Sequence, residues 1–262
     1  MTKKPRLTRV RLLMLGICLV LLVLTGPAWI NFGGLRPDQG SPALAAKTSI
    51  YAPEDFILLP CFSSAKTKPE TDCVIIAAGG KRVLIGAPAG IGSGIARGDI
   101  FPPDRVLLFS LKAAQIEGLD ELRNRFWARD IGAPIKIGAS EEIVALIGHL
   151  NAAYTASDAL AYLQGVEGTR LNTMPIEAFT LGVGDIAFDT GDLRLQVLTG
   201  GPNQFAYLVS YADRRVLVAP CGAPAETLSR WPKSDLYLGC AGPGPESQKR
   251  LSWPLQTAIY ID

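Results

Sequence analysis

The segment Val106–Arg123 constrains the fold of this chain more than any other part of the sequence. Its first residues, Val106–Phe109, are apolar without interruption, which predicts a strand buried on both faces. A short loop follows, and the helix predicted over Leu119–Arg129 has apolar side chains along one face. A buried strand that leads directly into a helix with one apolar face is typical of an α/β domain.

Further apolar segments of strand length lie on both sides of this unit. The predicted strands are Phe56–Leu59, Cys73–Ala78, Arg82–Ile85, Val106–Phe109, Ile135–Ile137, Phe179–Val183, Ile186–Phe188, Leu193–Leu198, Phe205–Tyr211, Arg215–Val218 and Leu236–Leu238. A helix with acidic residues in its first turn is predicted from Ser140 to about Tyr154, and a second helix over Ser157–Leu163. Two β-rich halves with helices between and after them predict an αββα sandwich.

The N-terminal part of the chain carries a membrane signal. Leu12–Ile30 is an uncharged run of 19 residues, and at 1.5 Å per residue such a helix just crosses a hydrocarbon core of about 30 Å. Positive residues before it predict that the N-terminus stays in the cytoplasm; they are Lys3, Lys4, Arg6, Arg9 and Arg11. We expect an uncleaved transmembrane helix in the lipid bilayer over residues 12–30, with a cleaved signal peptide as the alternative.

These features divide the chain into three parts. Residues 1–31 are the basic flank and anchor, residues 32–50 are a linker rich in Gly, Pro, Ala and Ser, and residues 51–262 are the domain on the exported, periplasmic or equivalent, side. The net charge of +2 is too small to indicate a nucleic-acid-binding surface. Cys18 lies within the apolar run, and the four cysteines that remain on the oxidising side predict two disulfides.

Short segments between Val74 and Gly242 occur in an order that resembles the metallo-β-lactamase fold superfamily. They are Gly79–Ile85, Pro103–Leu108, Gly118–Leu122, Ala206–Val209, Val216–Gly222 and Asp235–Gly239. Gly86-Ala-Pro-Ala-Gly90 stands where many members of that family have Asp-Ala-Gly-Pro-Gly. The resemblance implies an αββα sandwich of the metallo-β-lactamase type for residues 51–262, preceded by the transmembrane helix.

The same resemblance implies that the metal-binding residues are replaced. Active members hold zinc between the two halves with a His-x-His-x-Asp-His motif and with later His and Asp residues. The motif positions carry instead Ser110, Lys112, Ala114 and Gln115, and the later ones fall at Thr199 or Gly200, at Cys221, and at Gly239 or Cys240. The whole chain contains one histidine, His149. We therefore expect no His-rich metal site and no cofactor.

The resemblance also bears on how the four cysteines of the exported domain pair. The family positions at Cys221 and Cys240 bind one metal together, so the resemblance implies that these two side chains lie close enough for a disulfide. Two free buried thiols and a cysteine-based metal site are the alternatives. Cys61 and Cys73, at two strand ends across a polar loop, are the natural second pair. Lys112 would repel a divalent cation at the ligand positions, or it is a solvated loop residue.

A hydrolase-type scaffold without its ligands predicts a catalytically inactive protein that works by binding. We expect an accessory or scaffolding subunit with a membrane-protein partner, or a carrier of a small ligand in the former active-site cleft, and no binding of nucleic acid. The alternative is an enzyme with a non-metal or remodelled site in the same cleft, with Ser110, Lys112, Gln115 and Glu117 as candidates. His149 lies among apolar residues in mid-helix, which predicts a packing or surface role.

Overall fold

The computed structural model describes residue 52 and residues 54–62, 72–92, 102–127, 134–165, 176–240 and 247–261. The predicted basic flank, transmembrane helix and linker, residues 1–50, lie outside the described residues. No helix within the described ranges is both long and apolar enough to cross a membrane. The anchor over residues 12–30 therefore stays a prediction.

The strands are numbered in chain order. They are β1 (Ile57–Pro60), β2 (Val74–Ala78), β3 (Lys81–Ile85), β4 (Arg105–Leu107), β5 (Ile135–Ala139), β6 (Ile176–Thr180), β7 (Ile186–Asp189), β8 (Leu193–Gly201), β9 (Gln204–Tyr211), β10 (Arg214–Val218), β11 (Ser234–Gly239), β12 (Ser247–Ser252) and β13 (Ile259–Tyr260). The helices are α1 (Ala113–Ile116), α2 (Leu119–Trp127), α3 (Glu141–Leu163) and α4 (Ala225–Leu228). Each strand predicted from the sequence has a counterpart here.

The described strands form two sheets. The first has seven strands in the order β13-β1-β2-β3-β4-β5-β6, and the second has six in the order β12-β11-β10-β9-β8-β7. In the first sheet, β1 to β3 are antiparallel neighbours, and β3 to β6 are parallel. In the second, β7 to β10 are antiparallel, and β10 to β12 are parallel. The carboxyl ends of the parallel strands bring several loops together at one edge.

Three clusters of buried apolar residues lie between the sheets and helices. Strand β2 shows why the apolar runs are continuous: successive side chains point to opposite faces. Val74 and Ile76 lie in the core shared by the two sheets, whereas Ile75 lies in the core under α2 and α3. Leu228 of α4 and Trp231 cover the outer face of the second sheet. The layers are thus helix, sheet, sheet and helix.

The helix α3 is continuous where the sequence analysis predicted two helices. The expected break near Ser157 was wrong, because the polar side chains at that point bond to the helix itself. Ser157 Oγ donates to the carbonyl of Tyr154 at 3.0 Å, and Thr155 Oγ1 donates to the carbonyl of Asn151 at 3.3 Å. Such bonds to preceding carbonyls are compatible with a continuing helix.

A buried arginine from the neighbouring helix also spans the expected break. Arg123 of α2 is fully buried, pairs with Asp158, and places its guanidinium 4.4 Å from the centre of the Tyr154 ring. Its two partners lie on either side of the predicted gap. The tertiary contact therefore holds both parts of α3 in one helix.

Tyr207 links the second sheet to the segment after β4. Its hydroxyl donates to the carbonyl of Leu108 at 2.6 Å, and its ring centre lies 5.7 Å from that of Phe109. Burial raises the pKa of Tyr207 above its usual value, so the hydroxyl stays protonated and remains a donor. This bond fixes the backbone that leads into Ser110.

Replacing Tyr207 with Phe is expected to lower the free energy of unfolding by about 1–3 kcal/mol, because the buried carbonyl of Leu108 loses its side-chain donor. Urea denaturation of the full-length chain in detergent measures the change. Tyr260→Phe is the matched control, since the Tyr260 side chain is 53% exposed. Equal stabilities of the two variants would contradict the assigned bond.

Candidate functional site

Five side chains from distant parts of the sequence meet at the loop edge of the sheets. We name them the Asp72 cluster: Asp72, Ser110, Gln115, Cys221 and Cys240. Asp72 precedes β2, the Cys221 loop follows β10, and Cys240 follows β11 directly. Because β10 and β11 are parallel neighbours, the residues that follow them lie side by side.

Both predicted cysteine pairs are disulfides. The Cα atoms of Cys221 and Cys240 lie 5.1 Å apart, and those of Cys61 and Cys73 lie 5.8 Å apart. The first bond joins the loops after two strands of the second sheet, and the second joins the residues that follow β1 and precede β2. Each bond removes conformational freedom from the unfolded chain, which stabilises the domain by about 2–4 kcal/mol in the usual case.

The centre of the cluster is Asp72, which the sequence analysis did not identify. Asp72 is 3% exposed. Its Oδ2 accepts hydrogen bonds from Gln115 Nε2 at 2.9 Å and from the backbone N–H of Cys221 at 2.9 Å. Its Oδ1 lies 3.1 Å from Cys221 Sγ. The carboxylate thus joins the beginning of β2 to α1 and to the loop after β10.

Ser110 and Gln115 extend this network. The Ser110 hydroxyl donates to Gln115 Oε1 at 2.6 Å and accepts from the backbone N–H of Lys112 at 3.2 Å. The carbonyl of Gln115 accepts from the N–H of Ala87 at 2.9 Å, which docks α1 on the segment after β3. Ser110 and Gln115 are both buried. The two residues therefore face the inside of the site and hold Asp72 in place.

The other predicted positions lie around the cluster or away from it. Lys112 is exposed, and its Nζ donates to the carbonyl of Cys221 at 3.3 Å. Ala114 is exposed on α1, and no described contact joins it to Asp72. Glu117, an enzyme candidate, is exposed after α1, and His149 is exposed on α3. Lys112 therefore lies at the rim of the Asp72 cluster. No described contact joins Ala114, Glu117 or His149 to the cluster.

The two glycine positions are tightly enclosed by other atoms. A Cβ atom on Gly200 would lie 2.6 Å from the carbonyl oxygen of Phe205, and one on Gly239 would overlap the hydroxyl of Tyr237. Ordinary Cβ contacts need about 3.4 Å or more, so a histidine at either position requires its neighbours to move. Neither position therefore supplies a ligand side chain.

The chemistry of the donors decides whether the cluster suits the zinc ions that this type of scaffold usually carries. Within the described ranges, Asp72, Cys221 and Cys240 form a group whose ligand atoms all lie within 4.8 Å of one another. Zinc needs deprotonated thiolate, neutral imidazole or carboxylate. In the disulfide the two sulfurs carry no thiolate charge, which leaves one anionic ligand. The oxidised cluster therefore does not fit zinc.

Comparisons with known proteins support the architecture. The metallo-β-lactamase fold protein YhfI from Bacillus subtilis is similar with a TM-score of 0.51 and 12% identity, over 71% of this chain and 70% of that one. Human tRNase Z, short form, is similar with a TM-score of 0.51 and 11% identity, over 78% of this chain and 98% of that one. No protein-family model and no curated protein sequence matches. At such low identities these similarities establish the fold alone, and the domain has the metallo-β-lactamase fold, as its sequence landmarks predict.

Proposed function

We propose that this protein is a catalytically inactive metallo-β-lactamase-fold domain that works by binding. In this proposal residues 12–30 anchor it in a membrane, and the domain on the exported side is an accessory or scaffolding subunit for a membrane-protein partner. The observation that supports it most directly is the Asp72 cluster. At the positions that the sequence resemblance assigns to the family's ligands, the chain has a hydrogen-bonded network and a disulfide.

The charge next to the cluster supports the absence of a metal in this state. The ammonium group of Lys112 lies 3.3 Å from the carbonyl oxygen of Cys221. A positive charge at the rim of the cluster disfavours a cation bound there, although solvent screens part of the repulsion because Lys112 is exposed. The Asp72 carboxylate is the one formal negative charge among the ligand atoms of Asp72, Cys221 and Cys240, because the two sulfurs form a disulfide.

The same network argues against a serine-dependent enzyme. A serine nucleophile needs a base that accepts its proton and a position that substrate can reach. Ser110 is 4% exposed, and its hydroxyl proton points to the amide oxygen of Gln115, which is not a base at neutral pH. Lys112 bonds to the Cys221 carbonyl, and no described contact joins its amine to the Ser110 hydroxyl. The network is therefore better suited to structure than to covalent catalysis.

The disulfides are consistent with the exported side of a membrane. Disulfides persist in oxidising compartments and are rare in the cytosol. Two of them in the described residues agree with the topology that the basic flank and the apolar run predict. The fold itself does not decide the function, since one scaffold serves enzymes and binding proteins alike. The function must therefore be tested at the site.

The test is to purify the tagged full-length chain in mild detergent without reductant. We expect less than one tenth of an equivalent of zinc or iron per chain, no turnover of phosphodiester, ester or β-lactam substrates, and a co-purifying membrane protein. Lys112→Ala should retain that partner, as should Lys136→Ala, a control at an exposed lysine on β5. Stoichiometric metal, or turnover that Lys112→Ala abolishes, would show an enzyme instead.

A further inference from the structure

We propose that the outer face of α3 is a dimerisation surface, on which a second copy of this chain packs its own α3 in the antiparallel direction. We name this face the α3 seam, and its residues are Leu146, His149, Ala153, Ala156, Leu160 and Leu163. The inference goes beyond the proposed function, which needs no second copy. It gives the protein an interaction surface that shares no residue with the Asp72 cluster.

The side of α3 that faces away from the first sheet is exposed and apolar. The helix packs on the domain through the buried side chains of Ile143 and Ile147. After its first turn the one charged residue of α3 is Asp158, which pairs with the buried Arg123. Of the seven large apolar side chains that are exposed in the described ranges, four lie on this helix: Leu146, Leu160, Tyr162 and Leu163. A surface helix usually has charged residues opposite its core face. The composition of α3 is therefore that of a helix covered on both sides.

The spacing of the seam residues suits a second helix. They follow one another at alternating steps of three and four, and all six are exposed. This spacing places side chains in one line along a helix and is the pattern by which two helices interlock. The seam runs from Leu146 to Leu163, and Ile143 and Ile147 point into the core on the other side. Two copies can therefore pair through their seams without giving up the contact of α3 with its own sheet.

The order of side chains along the seam is self-complementary in the antiparallel direction. Leu146 of one copy then meets Leu163 of the other, and His149 meets Leu160. The two alanines of the seam meet at the centre, where small side chains allow the helices to approach closely. A two-fold interface requires each of these contacts to occur twice, as this order provides. A parallel pair would instead place the two His149 side chains against each other among apolar residues. The side-chain order therefore favours the antiparallel arrangement.

The charge of α3 argues against a lipid surface as the occupant of this face. A helix that lies on a membrane surface usually has Lys and Arg on its polar side, which attract anionic lipids. The helix α3 contains neither residue, and it begins with Glu141 and Glu142. A second copy of the uncharged seam needs no such complementary charge.

The size of the seam determines how strong the pairing is. From Leu146 to Leu163 the helix rises by roughly 25 Å, so one helix pair buries on the order of 1,000 Å² in total, at the small end of specific interfaces. We therefore expect a weak, reversible dimer. Anchoring of both copies in one membrane raises their effective concentration, and this one step rests on the proposed function.

The first test maps which residues of two copies are neighbours. Full-length chains with Cys18→Ser are reconstituted in phosphatidylcholine liposomes, so that the four remaining native cysteines are in disulfides. Leu146→Cys and Leu163→Cys chains are treated with a short bismaleimide, each alone and as a mixture. We expect crosslinked dimers in the mixture and none from either chain alone, because identical positions lie roughly 25 Å apart in the antiparallel pair. A mixture of Leu163→Cys and Val183→Cys chains controls for random collisions, since Val183 is exposed outside the seam.

The second test measures the dimerisation constant of the full-length chain by sedimentation equilibrium in detergent. Leu160→Glu should weaken dimerisation at least tenfold, because it buries a carboxylate between apolar side chains. Tyr162→Glu is the matched control: Tyr162 is 46% exposed on the same helix and lies outside the seam, so its constant should not change. His149→Leu should strengthen dimerisation about tenfold, because an apolar side chain then meets Leu160 in both halves of the interface. A folding defect cannot produce this gain of a two-chain species.

Three results would overturn the inference: crosslinks between identical positions, no product in the Leu146→Cys and Leu163→Cys mixture, or equal effects of Leu160→Glu and Tyr162→Glu. Weaker dimerisation of the His149→Leu chain would overturn it as well. The proposed function would then still stand, because it is tested by metal content, turnover and the co-purifying membrane protein. Stoichiometric metal or turnover would overturn the proposed function and leave the dimer in place.

Discussion

Replacing Arg123 with Ala is expected to lower the free energy of unfolding by about 3–5 kcal/mol, as is usual when one partner of a buried ion pair is removed. The Arg123 side chain is 0% exposed and pairs with Asp158, whose side chain is 20% exposed. It also stacks on Tyr154, 4.4 Å from the ring centre. The substitution therefore leaves a carboxylate with little solvation, and it removes the contact that joins α2 to both parts of α3.

Urea denaturation of the full-length chain in detergent measures this loss. Arg125→Ala is the matched control, because Arg125 is an exposed arginine near the end of the same helix. We expect the control to change the stability by less than about 0.5 kcal/mol. Asp158→Asn, which replaces the carboxylate that pairs with the guanidinium by a neutral amide, should lie near the Arg123 variant. If Arg123→Ala matches Arg125→Ala, the buried pair does not hold the helices together.

Replacing Gly86 with Ala is expected to lower the free energy of unfolding by about 2–5 kcal/mol, for two reasons that act together. Gly86 has a φ of +87°, a conformation that strains any residue with a side chain. A Cβ atom at this position would also overlap the carbonyl oxygen of Asp72. The close approach is required because Asp72 and Gly86 flank the paired ends of β2 and β3.

Gly148→Ala is the control for this substitution. Gly148 lies inside α3, and a Cβ atom there meets nothing within 4 Å. Alanine in a helix interior is more favourable than glycine by about 0.5–1 kcal/mol, so this variant should be more stable than the wild type. Thermal or urea denaturation should therefore show shifts of opposite sign for the two variants. A shift of Gly86→Ala in the same direction as Gly148→Ala would contradict the close packing around Asp72.

Gly86 also explains how this domain departs from the family pattern. The resemblance places an aspartate at the position of Gly86 in many members, and here the backbone of Asp72, which precedes β2, lies against that position. An aspartate at 86 would have to occupy the space of the Asp72 backbone. Restoring the family residue is therefore expected to unfold the domain and not to restore a metal site.

The structure confirms part of what the sequence predicts and corrects the rest. The eleven predicted strands and both cysteine pairings are confirmed. The strands β12 and β13, the short helices α1 and α4, and the role of Asp72 were not predicted. The short helix α1 was taken for a loop, because Ala113–Ile116 is too short to show a helical period. Asp72 was overlooked although it adjoins Cys73, because its partners Gln115 and Cys221 are 43 and 149 residues away along the chain. A carboxylate next to a cysteine at the start of a buried strand was the available signal.

The sequence by itself determined the strands β1 to β11, the helices α2 and α3 apart from the expected break, and the order of landmarks, because the spacing of apolar residues is a local property that each segment carries alone. It also determined that a histidine-rich site is impossible, since one histidine is present. Only the tertiary structure decided that Val106–Arg123 ends in a buried arginine that joins two helices, and that Ser110 and Gln115 support Asp72. Those contacts depend on which distant residues share one small volume, and that is fixed only when the two sheets pack together.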